Sequence, residues 1–250
     1  MTLYCAIMSF VLGSVFGSFI NCFAWRITHH ESILKGRSHC AVCGHTLAAL
    51  DLVPIFSWLF LRGKCRYCGE KISPRYMLTE LALGVAFLLC FLRFGLSWET
   101  LRLMALSVAL LGLSLVDLEI QEIPNGFILY GIALWALMLP LMAEPVKALW
   151  QGLLSGVLIG GGILLVSLVM DKVLKKESLG GGDVKLLFMV SLYMSPIAAL
   201  INLVLACVVG LLFVVALKRE KIPFGPSISL ASFATVLMGE QIAAWYLGLF

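Results

Sequence analysis

Long apolar runs alternate with short polar segments along this chain of 250 residues. Four of the runs, at 1–25, 123–143, 148–170 and 186–217, contain no Asp, Glu, Lys or Arg. Each run reaches the roughly 20 residues that an α-helix needs to cross about 30 Å of hydrocarbon. The pattern predicts an all-α integral membrane protein with about eight transmembrane helices. The predicted spans are 3–25, 76–92, 101–116, 126–143, 149–170, 184–195, 197–217 and 227–247.

Composition strengthens this prediction, because 61% of the residues are hydrophobic and only 13% are charged. Soluble domains carry about 25% charged residues on average, so a soluble fold would lack the polar surface to cover so many apolar side chains. The first run has no basic segment at its start, and its apolar core is too long for a secretory signal. We therefore expect it to be retained as a transmembrane helix.

The one long polar segment, residues 26–75, is strongly basic. It contains three acidic residues, against these basic ones: Arg26, Lys35, Arg37, Arg62, Lys64, Arg66, Lys71 and Arg75. Positively charged loops stay on the cytoplasmic side of a membrane, so we expect this loop inside the cell and the N-terminus outside. The chain then divides into a first transmembrane helix at 1–25, the cytoplasmic loop at 26–75 and a transmembrane helical bundle at 76–250.

The apolar run 186–217 is too long for one crossing, because 32 residues of α-helix would extend ~48 Å. Both of its flanks are basic, which requires an even number of crossings. Ser195-Pro196 lies near its middle, and proline suits the first turn of a new helix. We expect a helical hairpin whose short first arm lies inside the bundle.

Four cysteines of the polar loop form two C-x-x-C pairs, Cys40/Cys43 and Cys65/Cys68. Four thiolates suit tetrahedral zinc, and Gly44 and Gly69 allow the tight turn that follows each pair. Disulfides and redox-active thiols are the alternatives, but a reducing cytoplasm disfavours disulfides. We interpret the site as structural, because four cysteine ligands leave no open position for water.

Asp117 and Asp183 lie at the ends of two predicted spans that reach the same, cytoplasmic boundary of the membrane. Carboxylates near hydrocarbon are costly, so such residues suggest function. Each could instead cap a helix end, Asp183 as an N-cap in particular. Two carboxylates within hydrogen-bond reach share one proton. Such a pair can activate water and protonate a peptide carbonyl, which makes Asp117 and Asp183 the candidate catalytic residues.

Residues 179–186, Leu-Gly-Gly-Gly-Asp-Val-Lys-Leu, resemble the Gly-x-Gly-Asp motif of the prepilin (type IV leader) peptidases. Further segments that are similar to this family follow in order along the chain: Gly17–Asn21 with Arg26, residues 52–59, Arg75-Tyr76 with Glu80, Val116-Asp117 with Ile123-Pro124-Asn125, and residues 222–226. The segment Arg26-Ile27-Thr28 departs from the family, which has Arg-Leu-Pro there.

This resemblance implies an aspartic endopeptidase in the inner (plasma) membrane of a bacterium. Its partners would be prepilins or pseudopilins, whose leader is cut on the cytoplasmic side. The resemblance also implies N-methylation of the new terminus with S-adenosylmethionine.

Two other functions fit parts of the pattern. A general Gly-x-Gly-Asp intramembrane protease would share the motif around Asp183, and a small ion- or proton-coupled transporter would also place aspartates in membrane helices. No hydropathy-matched halves support the transporter. The basic loop is expected to meet anionic lipid rather than nucleic acid, since no basic helix or aromatic platform accompanies its charge. Glu80 is expected to pair with Arg75 or extend to the headgroups, with a substrate's basic leader as the alternative partner.

Overall fold

The computed structural model describes residues 2–33, 36–175, 179–217 and 223–248. Within these ranges the chain folds into helices joined by loops. It forms isolated β-bridges but no β-strand. Its α-helices are α1 (Thr2–Thr28), α2 (Phe56–Phe60), α3 (Pro74–Phe94), α4 (Trp98–Ile120), α5 (Asn125–Met138), α6 (Pro145–Gly156), α7 (Gly162–Leu174), α8 (Gly181–Ser191), α9 (Pro196–Leu217) and α10 (Gly225–Leu247). The basic residues Lys35, Lys176, Lys218, Arg219 and Lys221, on which part of the predicted orientation depends, lie outside the described ranges.

The predicted all-α membrane fold is confirmed. Six helical stretches in the described part of the chain are long and apolar enough to cross a membrane: Thr2–Thr28, Pro74–Phe94, Trp98–Ile120, Pro145–Leu174, Pro196–Ala216 and Gly225–Trp245. The other two predicted spans are also helical but shorter, and correspond to Asn125–Leu141 and to α8. A count of eight crossings therefore stays a prediction, while the helical segments themselves are those that the apolar pattern indicates.

The chain forms two compact units, unit 1 (Met1–Thr100) and unit 2 (Leu101–Phe250). In unit 1, α1 packs along α3, and the polar loop connects the two helices along the chain. Glycines permit this close approach, since a methyl group added at Gly17 would lie only 2.7 Å from the Cα of Glu80. The same contact explains why Glu80 is held against α1 rather than extending away from it.

In unit 2, the short helix α8 lies in the middle of the other helices, as predicted for the first arm of the hairpin. Leu186, Met189 and Val190 are fully buried, and α8 contacts α5, α6, α9 and α10. The helix ends at Ser191 and α9 begins at Pro196, so the predicted break at Ser195-Pro196 is confirmed. An 11-residue helix is too short to span hydrocarbon alone, and burial among longer helices keeps its polar ends away from lipid.

Small residues bring the long Pro145–Leu174 stretch onto α8. This stretch changes from α- to π-helical turns at Val157–Gly161. A methyl group at Gly160 would lie 2.7 Å from the Cβ of Phe188, and one at Gly156 would lie 3.0 Å from Leu192. These glycines therefore permit close helix packing, and their contacts fix α8 laterally.

Candidate functional site

Asp117 lies in the last turn of α4, three residues before the helix ends at Ile120. The predicted span ended at residue 116, so the structure places this aspartate inside the helix and not at its cap. Its side chain is only 4% exposed. One carboxylate oxygen, Oδ2, accepts a hydrogen bond of 2.9 Å from the backbone N–H of Gly225, the first residue of α10. A buried carboxylate with a backbone donor is held in one orientation.

Asp183 lies in the first turn of α8 and is half-buried. The expectation that it could be an N-cap is wrong, because Gly180 occupies the cap position and Asp183 is the third helical residue. The glycines before it lie close to the segment after α4, since a methyl group at Gly182 would be 3.1 Å from the Cβ of Ile123. This contact aligns the start of α8 with the end of α4.

The helix ends that carry the two aspartates lie side by side, since a methyl group at Gly182 would be 3.1 Å from the Cβ of Ile123, and the aspartates are near enough for their charges to interact. The N-terminus of α10 points its first N–H at Asp117, and Asp183 lies at the N-terminus of α8. Helix N-termini carry partial positive charge and stabilise nearby anions. Two helix starts therefore offset the cost of holding one negative charge on this pair of carboxyl groups, which is the electrostatic requirement for a pair that shares a proton.

The contact between Gly225 and Asp117 was not anticipated from the sequence, although residues 222–226 were recognised as a family-like segment. A methyl group at Gly225 would lie 2.5 Å from Oδ2 of Asp117, so only glycine fits there without displacing the carboxylate. The available signal was Gly225-Pro226. Proline is typical of the first turn of a helix, and the N–H groups at a helix start have no partner within the helix and can bind an acceptor outside it.

The two C-x-x-C pairs of unit 1 form matching hairpins. In one, the N–H of Gly44 donates to the carbonyl of Cys40, and in the other Gly69 donates to Cys65, each over 2.9 Å. Gly44 and Gly69 have positive φ angles of 70° and 74°, so the predicted glycine turns are confirmed. The sulfur atoms of Cys40, Cys43, Cys65 and Cys68 all lie within 4.8 Å of one another. A cluster of four thiols at this spacing can hold one metal ion.

The thiols of this cluster are not equivalent. Backbone N–H groups of Cys43 and Val42 lower the pKa of Cys40 to about 7. At Cys68 the backbone N–H of Glu70 acts to lower the pKa, but desolvation and the neighbouring thiols outweigh it and raise the pKa to about 12. A bound cation would displace the protons that these neighbouring thiols share.

Side chains outside the cluster join the two hairpins. Asp51, which follows the first hairpin in sequence, accepts a hydrogen bond of 2.7 Å from Arg66 and one of 3.1 Å from Tyr67, both in the second hairpin. The ring of His45, in the first hairpin, lies tilted against that of Tyr67, in the second, with centroids 3.7 Å apart. His45 is thus a neighbour of the cluster, which in the described part of the chain consists of cysteines alone.

Unit 1 also contains a cavity of about 390 Å³. Helices α1 and α3 form one side of it and the polar loop forms the other, with Trp25, Trp58, Cys40 and Cys65 among its walls. Sequence patterns gave no sign of this cavity, because its walls come from segments that are remote in sequence.

Glu80 belongs to this cavity, and its predicted pairing with Arg75 or extension to the headgroups is wrong. Its side chain is 8% exposed, and Oε2 accepts a hydrogen bond of 2.7 Å from the N–H of Ile55. Close packing of α1 on α3 at Gly17 holds the residue there.

Comparison with protein families covers most of both units. Residues 11–94 match the bacterial peptidase A24 N-terminal domain, and residues 104–215 match the type IV leader peptidase family. The first match includes the cysteine cluster and the cavity, and the second includes Asp117 and Asp183. No solved structure matches the chain.

Three curated proteins illustrate the similarity. The type 4 prepilin-like proteins leader peptide-processing enzyme of Escherichia coli O78:H11 is 35% identical, over 93% of this chain and 93% of its own length. The prepilin leader peptidase/N-methyltransferase of Bacillus subtilis is 29% identical, over 95% of this chain and 96% of its own length. The protein of the same name from Myxococcus xanthus is 36% identical over 86% of this chain, which spans 64% of that longer relative.

Proposed function

Because the chain belongs to the type IV leader peptidase family, we propose that it is a membrane-embedded aspartic endopeptidase that removes the leader of type IV prepilins or pseudopilins. We also propose that it methylates the N-terminus that cleavage exposes, as the names of its relatives indicate for them. The observation that carries the peptidase proposal is the placement of the two aspartates. Asp117, near the end of α4, binds the start of α10, and Asp183 lies nearby at the start of α8.

The aspartates act as one acid–base unit. The ionised carboxylate takes a proton from a water molecule, whose oxygen attacks the carbonyl carbon of the scissile peptide bond. The protonated carboxyl group donates its proton to the carbonyl oxygen, and the pair returns to its singly protonated state as the amine leaves. The pair titrates together, so no separate role is assigned to either residue.

The surroundings of the pair favour this chemistry. The N–H of Gly225 occupies Oδ2 of Asp117, which leaves the other oxygen for water or for Asp183. A methyl group added at Gly181 would have no neighbouring atom within 4 Å, so there is open space beside the backbone next to Asp183. An extended substrate segment can approach the aspartates through this space. Such access is required if a peptide bond is to be hydrolysed within a helical bundle.

The cysteine cluster is proposed to hold zinc. Four sulfur donors with no open coordination position are typical of structural zinc, and the cluster ties together the two hairpins of a loop that has little core of its own. The methyl donor is proposed to be S-adenosylmethionine, whose methyl group is bonded to a positively charged sulfur and is therefore ready for transfer to an amine.

The cytoplasmic placement of the cysteine loop and of the aspartates follows from the positive-inside rule and remains part of the proposal, as does the inner membrane. Reporter fusions that end at Arg37 and at Lys147 should report opposite sides of the membrane. If both report the same side, the predicted orientation is wrong.

The peptidase proposal is tested by incubating the purified chain with a peptide that carries a prepilin leader and the start of the mature helix. Mass spectrometry should detect cleavage at the leader junction and, with S-adenosylmethionine present, a mass increase of one methyl group on the product. Equal cleavage of an unrelated transmembrane helix without a leader would favour a general intramembrane protease instead.

A further inference from the structure

We infer that the cavity of unit 1 is the binding site for the methyl donor S-adenosylmethionine, with the carboxylate of Glu80 facing the positively charged sulfur. The inference rests on the proposed methyltransferase function and adds to it a place and a recognition chemistry. It concerns unit 1 alone and is independent of the aspartate pair.

The size and lining of the cavity suit a small polar ligand with a flat aromatic part. A volume of about 390 Å³ lies within the roughly 300–1,000 Å³ of small-molecule pockets. The indole rings of Trp25 and Trp58 line it. Trp58 is held in place by a hydrogen bond of 3.1 Å from its Nε1 to the carbonyl of Ile72. Fixed indole faces attract both flat heterocycles and cations.

The cavity extends along two of the membrane helices, and the end that reaches furthest along them is called its deep end. Along α1 its lining runs from Arg26 back to Ser18, and along α3 from Ser73 forward to Glu80. Ser18 and Glu80 both line this deep end. A substrate whose N-terminus continues into an apolar transmembrane helix would present its terminal amine at this end.

The environment of Glu80 is unusual for a structural residue. Its hydrogen-bond donor is the N–H of Ile55, and none of the ion pairs among the described residues joins it to a Lys or Arg. A buried carboxylate without a cationic partner is costly, so it is suited to receive a cation from a ligand. The hydrogen bond to Glu80 also holds Ile55 at a φ of 64°, a conformation that β-branched residues rarely adopt.

The transfer itself requires no further reactant. The uncharged terminal amine of the substrate attacks the methyl carbon, and the carbon–sulfur bond breaks with its electron pair remaining on sulfur. The new nitrogen–carbon bond carries the positive charge onto the amine, which then releases its extra proton to water. A carboxylate at the deep end attracts the cation before transfer and has no such attraction for the neutral thioether that remains, which favours release of the spent donor.

The test measures equilibrium binding to the purified full-length chain in detergent or nanodiscs, with S-adenosylmethionine and with the neutral S-adenosylhomocysteine. Glu80→Gln retains an oxygen for the N–H of Ile55 but removes the charge. It should weaken binding of the cationic donor about tenfold or more while changing binding of the neutral product much less. The matched control is Glu31→Gln, which removes the same charge from an exposed side chain of unit 1 that does not line the cavity. The control should bind both ligands as the unmodified chain does.

Ultraviolet cross-linking of radiolabelled S-adenosylmethionine to the unmodified chain provides a second measurement that does not depend on how the variants fold. Peptide mapping should place the label between residues 18 and 80. Label within residues 101–250 on a preparation that still methylates its product would overturn the site but leave the methyltransferase function standing. Absence of both donor binding and methylation would overturn both. Equal losses of binding in Glu80→Gln and Glu31→Gln would also overturn the role of Glu80.

Discussion

The cysteine cluster of unit 1 and the aspartate pair of unit 2 are built by different means. In unit 1, two β-bridged hairpins present the four thiols, and the contact between the rings of His45 and Tyr67 joins the hairpins. In unit 2, the carboxylates lie on helices whose ends are brought together by close packing, with a backbone N–H as the donor to Asp117.

This difference determines how each region should respond to change. A loop with little hydrophobic core depends on its cross-links, so loss of one ligand should loosen the whole loop. A site made from helix ends depends on the positions of rigid elements, so small steric changes there should affect chemistry more than stability. The predictions below test this contrast, beginning with the largest expected effect.

Loss of either aspartate should abolish leader cleavage. Asp117→Asn and Asp183→Asn each keep the shape of the side chain but cannot carry the proton, so the rate should fall about 10³-fold or more. The double variant should be no slower than either single one, because members of a catalytic unit are non-additive. Cleavage is followed by mass spectrometry of the leader peptide.

Both aspartate variants should still insert into the membrane, retain their metal and methylate a peptide that has already been cleaved. Near-normal cleavage by either single variant would contradict the shared-proton mechanism. If methylation is lost together with cleavage, the two activities do not reside separately in unit 1 and unit 2.

Replacement of Cys40 and Cys65 by serine should remove the metal and loosen the polar loop. Elemental analysis of the unmodified chain should give about one zinc per chain, and the double variant should contain far less. Limited proteolysis should then cut within residues 36–73. Both cysteines line the cavity, so donor binding should fall as well.

The matched control for this prediction replaces Cys5 and Cys207, cysteines outside the cluster, by alanine, and its zinc content should be unchanged. Full zinc occupancy in the Cys40/Cys65 double variant would mean that the ligands are misassigned.

A methyl group at the start of α10 should slow cleavage without unfolding the protein. Gly225→Ala places a carbon 2.5 Å from Oδ2 of Asp117, and a displaced carboxylate should reduce the cleavage rate roughly tenfold to a hundredfold. Gly181→Ala provides the comparison, because it lies in the first turn of α8 but has no atoms within 4 Å of the added carbon.

Zinc content and donor binding should be unchanged in both glycine variants, since both substitutions are in unit 2. If Gly181→Ala slows cleavage as much as Gly225→Ala, the effect comes from helix starts in general rather than from the contact with Asp117.

The smallest effect is expected where the site meets solvent. Lys185 donates a hydrogen bond of 3.1 Å to Asn125, which joins the start of α8 to the start of α5 through an exposed pair. Exposed polar pairs contribute little, so Lys185→Met should change the cleavage rate less than about threefold. A larger loss in peptide assays would indicate that Lys185 contacts the substrate.

Much of the architecture was predictable because the bilayer imposes local rules. Apolar runs of sufficient length indicated each helical segment, and Pro196 marked the break between α8 and α9. The spacing of the cysteines and the glycines that follow them predicted the hairpins and the cluster. Boundaries were less accurate, since α4 continues to Ile120 and thereby places Asp117 within a helix.

Sequence alone thus determined the membrane fold and the cysteine cluster and identified the two aspartates as candidates, because each depends on residue type and spacing within a short segment. Only the tertiary structure decided how the aspartates are supported, since Asp117 and its donor Gly225 are 108 residues apart. It also decided that Glu80 is buried against Ile55 in a cavity rather than paired with its neighbour Arg75. Local patterns specify which face of a helix is apolar, but the partner of a buried polar group depends on which helices meet, and that follows from the packing of the whole unit.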